Sequence, residues 1–281
     1  MAVIGAGGAG LVTMQELIKM GHTVICFESE SMIGGTWNFE TSSRTSVYKN
    51  LRTNLPRELM AFEQYKMRPK DDAEGSFTGD ARRFASHSEI TGWIKSYAEE
   101  FNLNQHIRFS TEVKNVVKVE DQWVVTALSN DVESVDKFDS VCIANGHYEA
   151  MVKPDLKGHD IFPNQIAHSH DYKTPTDYTG KRVLFLGASF SGEDISRDMS
   201  SEIAQGWLVA RRPGVSNPEK SPIGAKENID RVRGTIDELR ADGSVLLTTG
   251  DVLENVDCVM LCTGYAFNYP FLNQVEGLKW D

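Results

Sequence analysis

The chain has 281 residues, of which 40% are hydrophobic, 25% charged and 9% aromatic, and it carries a net charge of −11. That is enough apolar material for one large or two ordinary globular domains. The acidic balance argues against a nucleic-acid partner and against a polybasic membrane patch, and no apolar run is long enough to span a bilayer.

The N-terminal residues Ala2 to Ile4 form a very short apolar strand that runs, with no leader, into Gly5-Ala6-Gly7-Gly8-Ala9-Gly10. A helix follows with Leu11, Met14, Leu17 and Ile18 on one face. Gly21-His22 ends it, and Thr23 to Phe27 reads as the next strand, closed by Glu28. Residues 37 to 85 are irregular and rich in Arg, Thr, Ser and Asn, with an exposed loop expected from Asp71 to Gly79. Ile90, Trp93, Ile94, Tyr97 and Phe101 then recur at helical spacing, which predicts an amphipathic helix from about Ser88 to Phe101. Ile107 to Val119 and Trp123 to Leu128 read as a β-meander, and Val141 to Ala144 as a strand returning to the main sheet.

Past Ala150 the character changes. Pro154, Gly158, Pro163 and Pro175 mark a connection, Lys181 to Leu186 a second buried strand, and Gly187-Ala188-Ser189-Phe190-Ser191-Gly192 a second glycine turn. Its helix carries Ile195, Met199 and Ile203. Gly206 turns the chain into the strand Trp207 to Ala210, which ends in Arg211-Arg212. Val245 to Thr248 and Val256 to Leu261 read as closing strands. A strand–turn–helix–turn–strand unit therefore occurs twice.

Each unit carries the pattern that cradles a dinucleotide. In the first, Gly5 permits the tight turn, Gly7 lets the backbone approach a pyrophosphate and Gly10 allows close helix–strand packing. The helix N-terminus faces the phosphates, and Glu28 can hydrogen-bond a ribose hydroxyl. In the second, Ser189 takes the middle glycine's place; it is small and can donate to a phosphate. The following strand ends in arginines, which can grip a 2′-phosphate that an acid would repel. This assigns NADPH to the second turn. A flavin on the first and a nicotinamide on the second describe a flavoprotein reduced by hydride transfer.

Together with these turns, Gly34-Gly35-Thr36-Trp37, Leu51-Arg52-Thr53-Asn54-Leu55-Pro56, Ala144-Asn145-Gly146-His147-Tyr148, Phe162 to Tyr172 and Cys262-Thr263-Gly264-Tyr265 occur in an order that resembles the flavin-containing monooxygenase family over nearly the whole chain. The family's FxGxxxHxxxY/F motif falls on Phe162, Asn164, His168 and Tyr172. Asn164 stands where the family has glycine and, as the non-glycine residue best tolerated at φ > 0, can keep that turn. Tyr172, in place of a Trp-Pro pair, disfavours the related Baeyer–Villiger enzymes. His168 reads as a packing residue between the cofactor domains.

The resemblance implies an α/β fold with two Rossmann-like dinucleotide-binding domains, the NADPH domain inserted in the FAD domain, and a small β-meander. The expected boundaries are 1–150 for FAD, 151–254 for NADPH and 255–281 for the return to the FAD domain. It also implies that Glu28, Thr36 and Trp37 contact FAD and that Thr53, Asn54 and Leu55 lie between flavin and nicotinamide, with Asn54 as the catalytic amide. Ser191, Gly192, Glu193 and Asp194 would line the NADPH pyrophosphate, beside Gly187, Ser189, Arg211 and Arg212. The implied reaction is NADPH-driven formation of a flavin C4a-hydroperoxide from O2, which transfers one oxygen atom to an amine or a sulfide in a dry pocket. His168-Ser169-His170-Asp171-Tyr172 is similar to the S-oxygenating plant branch.

Two other readings stay open: a different two-dinucleotide flavoenzyme, such as an NADPH oxidase or a carbon-oxygenating relative, and a non-catalytic flavin-binding protein. Family members continue well past the TGY segment, so a fragment or shortened homologue is expected. The cysteines Cys26, Cys142, Cys258 and Cys262 form no CxxC pair and read as buried thiols of a reducing, cytoplasmic compartment. No histidine has convincing metal-ligand spacing. The sequence carries no signal for oligomeric state.

Overall fold

The computed structural model describes residues 1–39, 44–67, 80, 82–211 and 228–272. The loop expected at Asp71 to Gly79 lies outside the described residues, as does Arg212. The chain divides into two compact units, one of Met1–Val47, Leu51–Glu149 and Phe267–Asp281, the other of Tyr48–Asn50 and Ala150–Ala266.

The first unit begins with β1 (Ala2–Ile4), α1 (Gly8–Lys19) and β2 (Ile25–Phe27), followed by a single turn of helix, α2 (Arg57–Met60), and by α3 (His87–Glu100). Ser86 caps α3 by accepting the Glu89 N–H. Then come β3 (Ile107–Arg108), β4 (Glu112–Val119), β5 (Gln122–Ser129), β6 (Val132–Phe138) and β7 (Val141–Ile143). The order β3-β2-β1-β7 makes a parallel sheet, and β4-β5-β6 an antiparallel one. Because side chains alternate across a strand, Val3 and Cys26 face Leu11, Met14 and the Ile90, Trp93, Ile94, Tyr97 stripe of α3. Ala2, Ile4 and Phe27 face Val116, Val125 and Phe138 of the antiparallel layer.

Two sequence expectations change here. The run Ile107 to Val119 is two strands, because Ser110 takes φ 49° and breaks it; its first piece joins the parallel sheet. The meander has a third strand, β6, concealed by charged residues on both of its faces. Asn130 and Asp131, both at positive φ, supply its hairpin turn.

The second unit has the same three-layer plan. Its strands are β8 (Gln165–His168), β9 (Arg182–Leu186), β10 (Gln205–Ala210), β11 (Ile229–Arg233), β12 (Ile236–Leu239), β13 (Val245–Leu247), β14 (Val252–Leu253) and β15 (Cys258–Leu261), with α4 (Phe190–Met199) between β9 and β10. The parallel sheet runs β11-β10-β9-β15-β8 and the antiparallel layer β12-β13-β14. Leu184, Leu186, Val209, Val259 and Leu261 pack on Ile236, Leu239, Val245 and Leu247. Gly206 does not turn the chain but lies inside β10, where a Cβ would come within 2.4 Å of Ile229 Cδ1. The run assigned to the return, Val256 to Leu261, instead supplies β15, hydrogen-bonded between β9 and β8; the first unit resumes at Phe267. An all-apolar strand is what a central parallel position requires, and that composition does not say which sheet it joins.

Among the described residues no helix is long and apolar enough to cross a membrane.

Candidate functional sites

In the first turn Gly5 has φ 98°, and a Cβ on Gly10 would stand 1.9 Å from the Gly5 carbonyl oxygen. These two glycines are demanded by the chain's own packing. Gly7 is different. Its φ is −74°, and an added Cβ would make only an ordinary 3.6 Å contact with Gly35 Cα. The protein leaves that space open, as close approach of a phosphate requires. Gly7 is the N-cap of α1; no side chain caps it and no acid lies in the first turn. The first intrahelical bond is donated by Leu11 N–H to the Gly7 carbonyl at 3.0 Å, so the N–H groups of Gly8, Ala9 and Gly10 open the helix facing outward along its dipole.

Glu28, buried at the end of β2, accepts the Ala6 N–H at 2.7 Å on one oxygen and the Glu30 N–H at 2.9 Å on the other. It thus braces the glycine turn as well as offering its remaining lone pairs. Gly34 N–H donates to the Ala6 carbonyl at 3.1 Å, which brings the Gly34-Gly35-Thr36-Trp37 segment against the turn. Thr36 and Trp37 are half-buried. The Thr36 carbonyl accepts the Thr45 hydroxyl, and the Trp37 carbonyl accepts the Thr91 hydroxyl at 2.8 Å.

The segment Thr53-Asn54-Leu55 is held rigidly. Thr53 N–H donates to the Ala85 carbonyl at 2.9 Å, and the buried Thr53 hydroxyl donates to the Leu55 carbonyl at 2.6 Å. Asn54 and Leu55 are exposed. Below them the buried Arg57 guanidinium donates to Glu89 Oε2 at 3.0 Å, to the Arg82 carbonyl at 2.7 Å and to the Asp80 carbonyl. Asp80 in turn takes Arg52 at 2.6 Å. Hydrogen bonds from Arg82 and Arg52 hold its carboxyl well below the usual carboxylate range. Sequence reading missed this network; an arginine directly after Thr-Asn-Leu-Pro, with an acid in the first turn of an apolar helix, was the available signal.

In the second unit Gly187 has φ 111° and Gly192 meets the Gly187 oxygen as Gly10 meets Gly5. Ser189, the N-cap of α4, is exposed with φ −94° and ψ −166°, close to Gly7's conformation, and its hydroxyl does not cap the helix. Ser191 and Gly192 lie in the first turn of α4. The Glu193 and Asp194 carboxylates are committed within the protein. Glu193 receives both guanidinium nitrogens of Arg231 at 2.5 Å, and Asp194 accepts from Tyr48 and from Arg197. Arg231, missed in the sequence, offsets the acid at the N-terminus of α4. Arg211 is exposed, one residue past β10.

The FxGxxxHxxxY segment packs within this unit. Asn164 does not adopt φ > 0; its amide instead donates to the Val256 carbonyl at 2.7 Å. Tyr172 donates to Asp198 on α4 at 2.5 Å, beside Asn50, which reaches the other Asp198 oxygen at 3.0 Å. Burial and that carboxylate push the Tyr172 pKa far up. His168 and His170 are both buried with ring centroids 5.3 and 6.2 Å from Tyr265. Both imidazoles thus lie beside one ring. His168 Nδ1 accepts the His170 N–H at 3.1 Å, and burial lowers the His168 pKa.

Burial raises the thiols of Cys26, Cys258 and Cys262 to about 12, so they are inert at neutral pH. Among the described residues no three His, Cys, Asp or Glu side chains are grouped to hold a metal ion.

Comparison with known proteins adds four findings. The profile of the family described as flavin-binding monooxygenase-like matches residues 1–216 and 225–278. The chain is 36% identical over 292 residues to Flavin-containing monooxygenase FMO GS-OX5 of Arabidopsis thaliana, covering 97% of this chain and 61% of the relative. It is also similar to the S-allyl-L-cysteine S-oxygenase of Allium sativum, with a TM-score of 0.85 and 36% identity over 97% of this chain and 64% of that one. Tmm from Pelagibacter sp. strain HTCC7211 superposes with a TM-score of 0.82 at 27% identity, over 97% of this chain and 63% of that one. The chain thus spans about three-fifths of the length of the Arabidopsis relative.

Proposed function

The chain belongs to the flavin-binding monooxygenase-like family, and from that premise we propose that it uses FAD and NADPH to place one oxygen atom of O2 on a soft nucleophile, a sulfide before an amine, with the other atom leaving as water. The observation that carries this is the pair of glycine turns of one geometry but opposite chemistry. The first has an acid at the end of its second strand, and the second has none there, with an arginine beyond it. The sulfide preference draws on the S-oxygenase among the similar structures.

In this reading the open backbone at Gly7, with the N–H groups of Gly8, Ala9 and Gly10, holds the FAD pyrophosphate, and Glu28 accepts a ribose hydroxyl. Thr36 and Trp37 line the same cofactor. The flavin, once reduced by NADPH, supplies the oxygen-activating chemistry. Asn54, presented on a segment fixed by Thr53 and Arg57, hydrogen-bonds the flavin ring, and Leu55 helps exclude water. In the second unit the Ser189 hydroxyl and the α4 N-terminus hold the NADPH pyrophosphate, the Glu193 charge being offset by Arg231. Arg211 takes the 2′-phosphate, with Arg212 expected beside it.

Anaerobic titration of the FAD-loaded chain tests the cofactor assignment. NADPH should bleach the flavin band at concentrations at least tenfold below those NADH requires. A chain that takes up no flavin, or is reduced equally by both nucleotides, contradicts it.

A further inference from the structure

The two glycine turns can be superimposed through their hydrogen bonds. Gly5 N–H donates to the Phe27 carbonyl at 2.8 Å, and Gly187 N–H to the Val209 carbonyl at 2.8 Å. The last glycine of each turn meets the first in the same way. Val209 therefore stands where Phe27 stands, and Ala210, not Arg211, stands where Glu28 stands. At the first site the Glu28 carboxylate fills that position by accepting the Ala6 N–H. At the second, Ala210 carries only a methyl group at the equivalent position, beside Ala188, the counterpart of Ala6.

The neighbouring strand changes in a matching way. On β3, Phe27 pairs with Arg108, so the residue beside Glu28 is Phe109, packed against the apolar core. On β11, Val209 pairs with Val232 and Ala210 with Arg233. In-register residues of adjacent strands share a face. Leu208 lies 3.2 Å from a Cβ built on Gly192 of α4, and its partner Arg231 grips Glu193 on α4. Two residues on, Ala210 and Arg233 occupy that same face at the strands' C-terminal ends. Arg231 is consumed by its ion pair. Arg233 is exposed and makes no ion pair or side-chain hydrogen bond among the described residues.

We propose that Arg233 is a specificity-determining residue of the second site: it reaches across from β11, past Ala210, to the adenosine 2′-phosphate of NADPH, and shares that phosphate with Arg211. The proposal rests on the NADPH reading above. It adds a cation from a different strand and a reason for the alanine. A carboxylate at 210 would repel the phosphate and neutralise Arg233, whereas a methyl group lets a guanidinium approach two phosphate oxygens at once.

The test is calorimetric titration of the FAD-loaded chain with 2′,5′-ADP and with 5′-AMP, which differ only in the 2′-phosphate. The unmodified chain should prefer 2′,5′-ADP. Arg233→Gln should cut that preference by about 10- to 100-fold while leaving 5′-AMP affinity unchanged, which also shows that the site has folded. Arg233→Lys should retain part of it, and Ala210→Glu should reverse it. An unchanged preference in Arg233→Gln, or an equal loss for both ligands, overturns the role of Arg233 and leaves the NADPH assignment standing. An unmodified chain that binds both ligands alike, or neither, overturns both.

Discussion

Asn54 shows how one side chain can be both exposed and well placed. Its neighbour Thr53 is buried and hydrogen-bonded on both sides of it, to Ala85 and to Leu55, so the amide stands on a backbone with little freedom. An enzyme gains most from polar groups already in position when charge develops, because no reorganisation is then needed. Asn54→Ser keeps the backbone but loses the amide's reach. Bound FAD should be unchanged, sulfoxide yield should fall by at least tenfold, and NADPH consumption should continue with release of peroxide. Product yield equal to that of the unmodified chain removes Asn54 from the chemistry. The contrast between Glu28 and Ala210 belongs to the same scale: one carboxylate, present in the first turn and absent from its equivalent, separates a site suited to ribose hydroxyls from one open to a phosphate.

At the scale of elements, the short helix α2 carries more than its one turn. Arg57, at its start, is buried against Glu89 in the first turn of α3 and ties in the carbonyls of Arg82 and Asp80. Breaking a buried pair on one side leaves the other charge without compensation and costs about 3–5 kcal/mol. Arg57→Met should therefore lower the unfolding free energy by about that much in denaturant titration, and Arg57→Met with Glu89→Leu should recover most of the loss. A single variant within about 0.5 kcal/mol of the parent, the range of ordinary surface changes, shows that the network does not anchor the segment. Each member of this pair carried a local signal in the sequence, but their pairing did not, because they lie far apart along the chain. The glycine turns, α1 and α3 were legible because their signals are local: φ-demanding residues and a periodic apolar stripe. β6 was hidden because its charges fall on both faces: Glu133 and Lys137 are exposed, whereas Asp136 lies on the half-buried side with Ser134 and Phe138, so no apolar alternation is left. β15 was found as a strand but expected in the wrong sheet, since an apolar run such as Cys258–Leu261 states burial and not partner.

For the molecule as a whole, the two units repeat one plan of a helix, a parallel sheet and an antiparallel layer, and each turns its glycine loop to the C-terminal edge of its strands. That edge is where such sheets bind nucleotides. The same design buries imidazoles, and this sets an acid limit on stability. Burial lowers the His168 pKa in the folded state, so the unfolded chain binds the proton more readily and stability falls as pH drops below the unfolded value of about 6.5. His168→Gln should flatten the loss of unfolding free energy between pH 6.5 and 5 relative to the parent. Parallel curves for the two proteins would mean that His168 does not contribute.

The proposed reaction needs two nucleotide sites on one chain to act together in putting an atom of O2 on a sulfide. The most direct measurement is a turnover of the FAD-loaded chain with NADPH, a small thioether and isotopically labelled O2, followed by mass analysis of the product. The expected product is a sulfoxide carrying one labelled oxygen, formed with NADPH and at a rate at least tenfold lower with NADH. A sulfoxide without label, or NADPH oxidation that ends wholly in hydrogen peroxide, contradicts it.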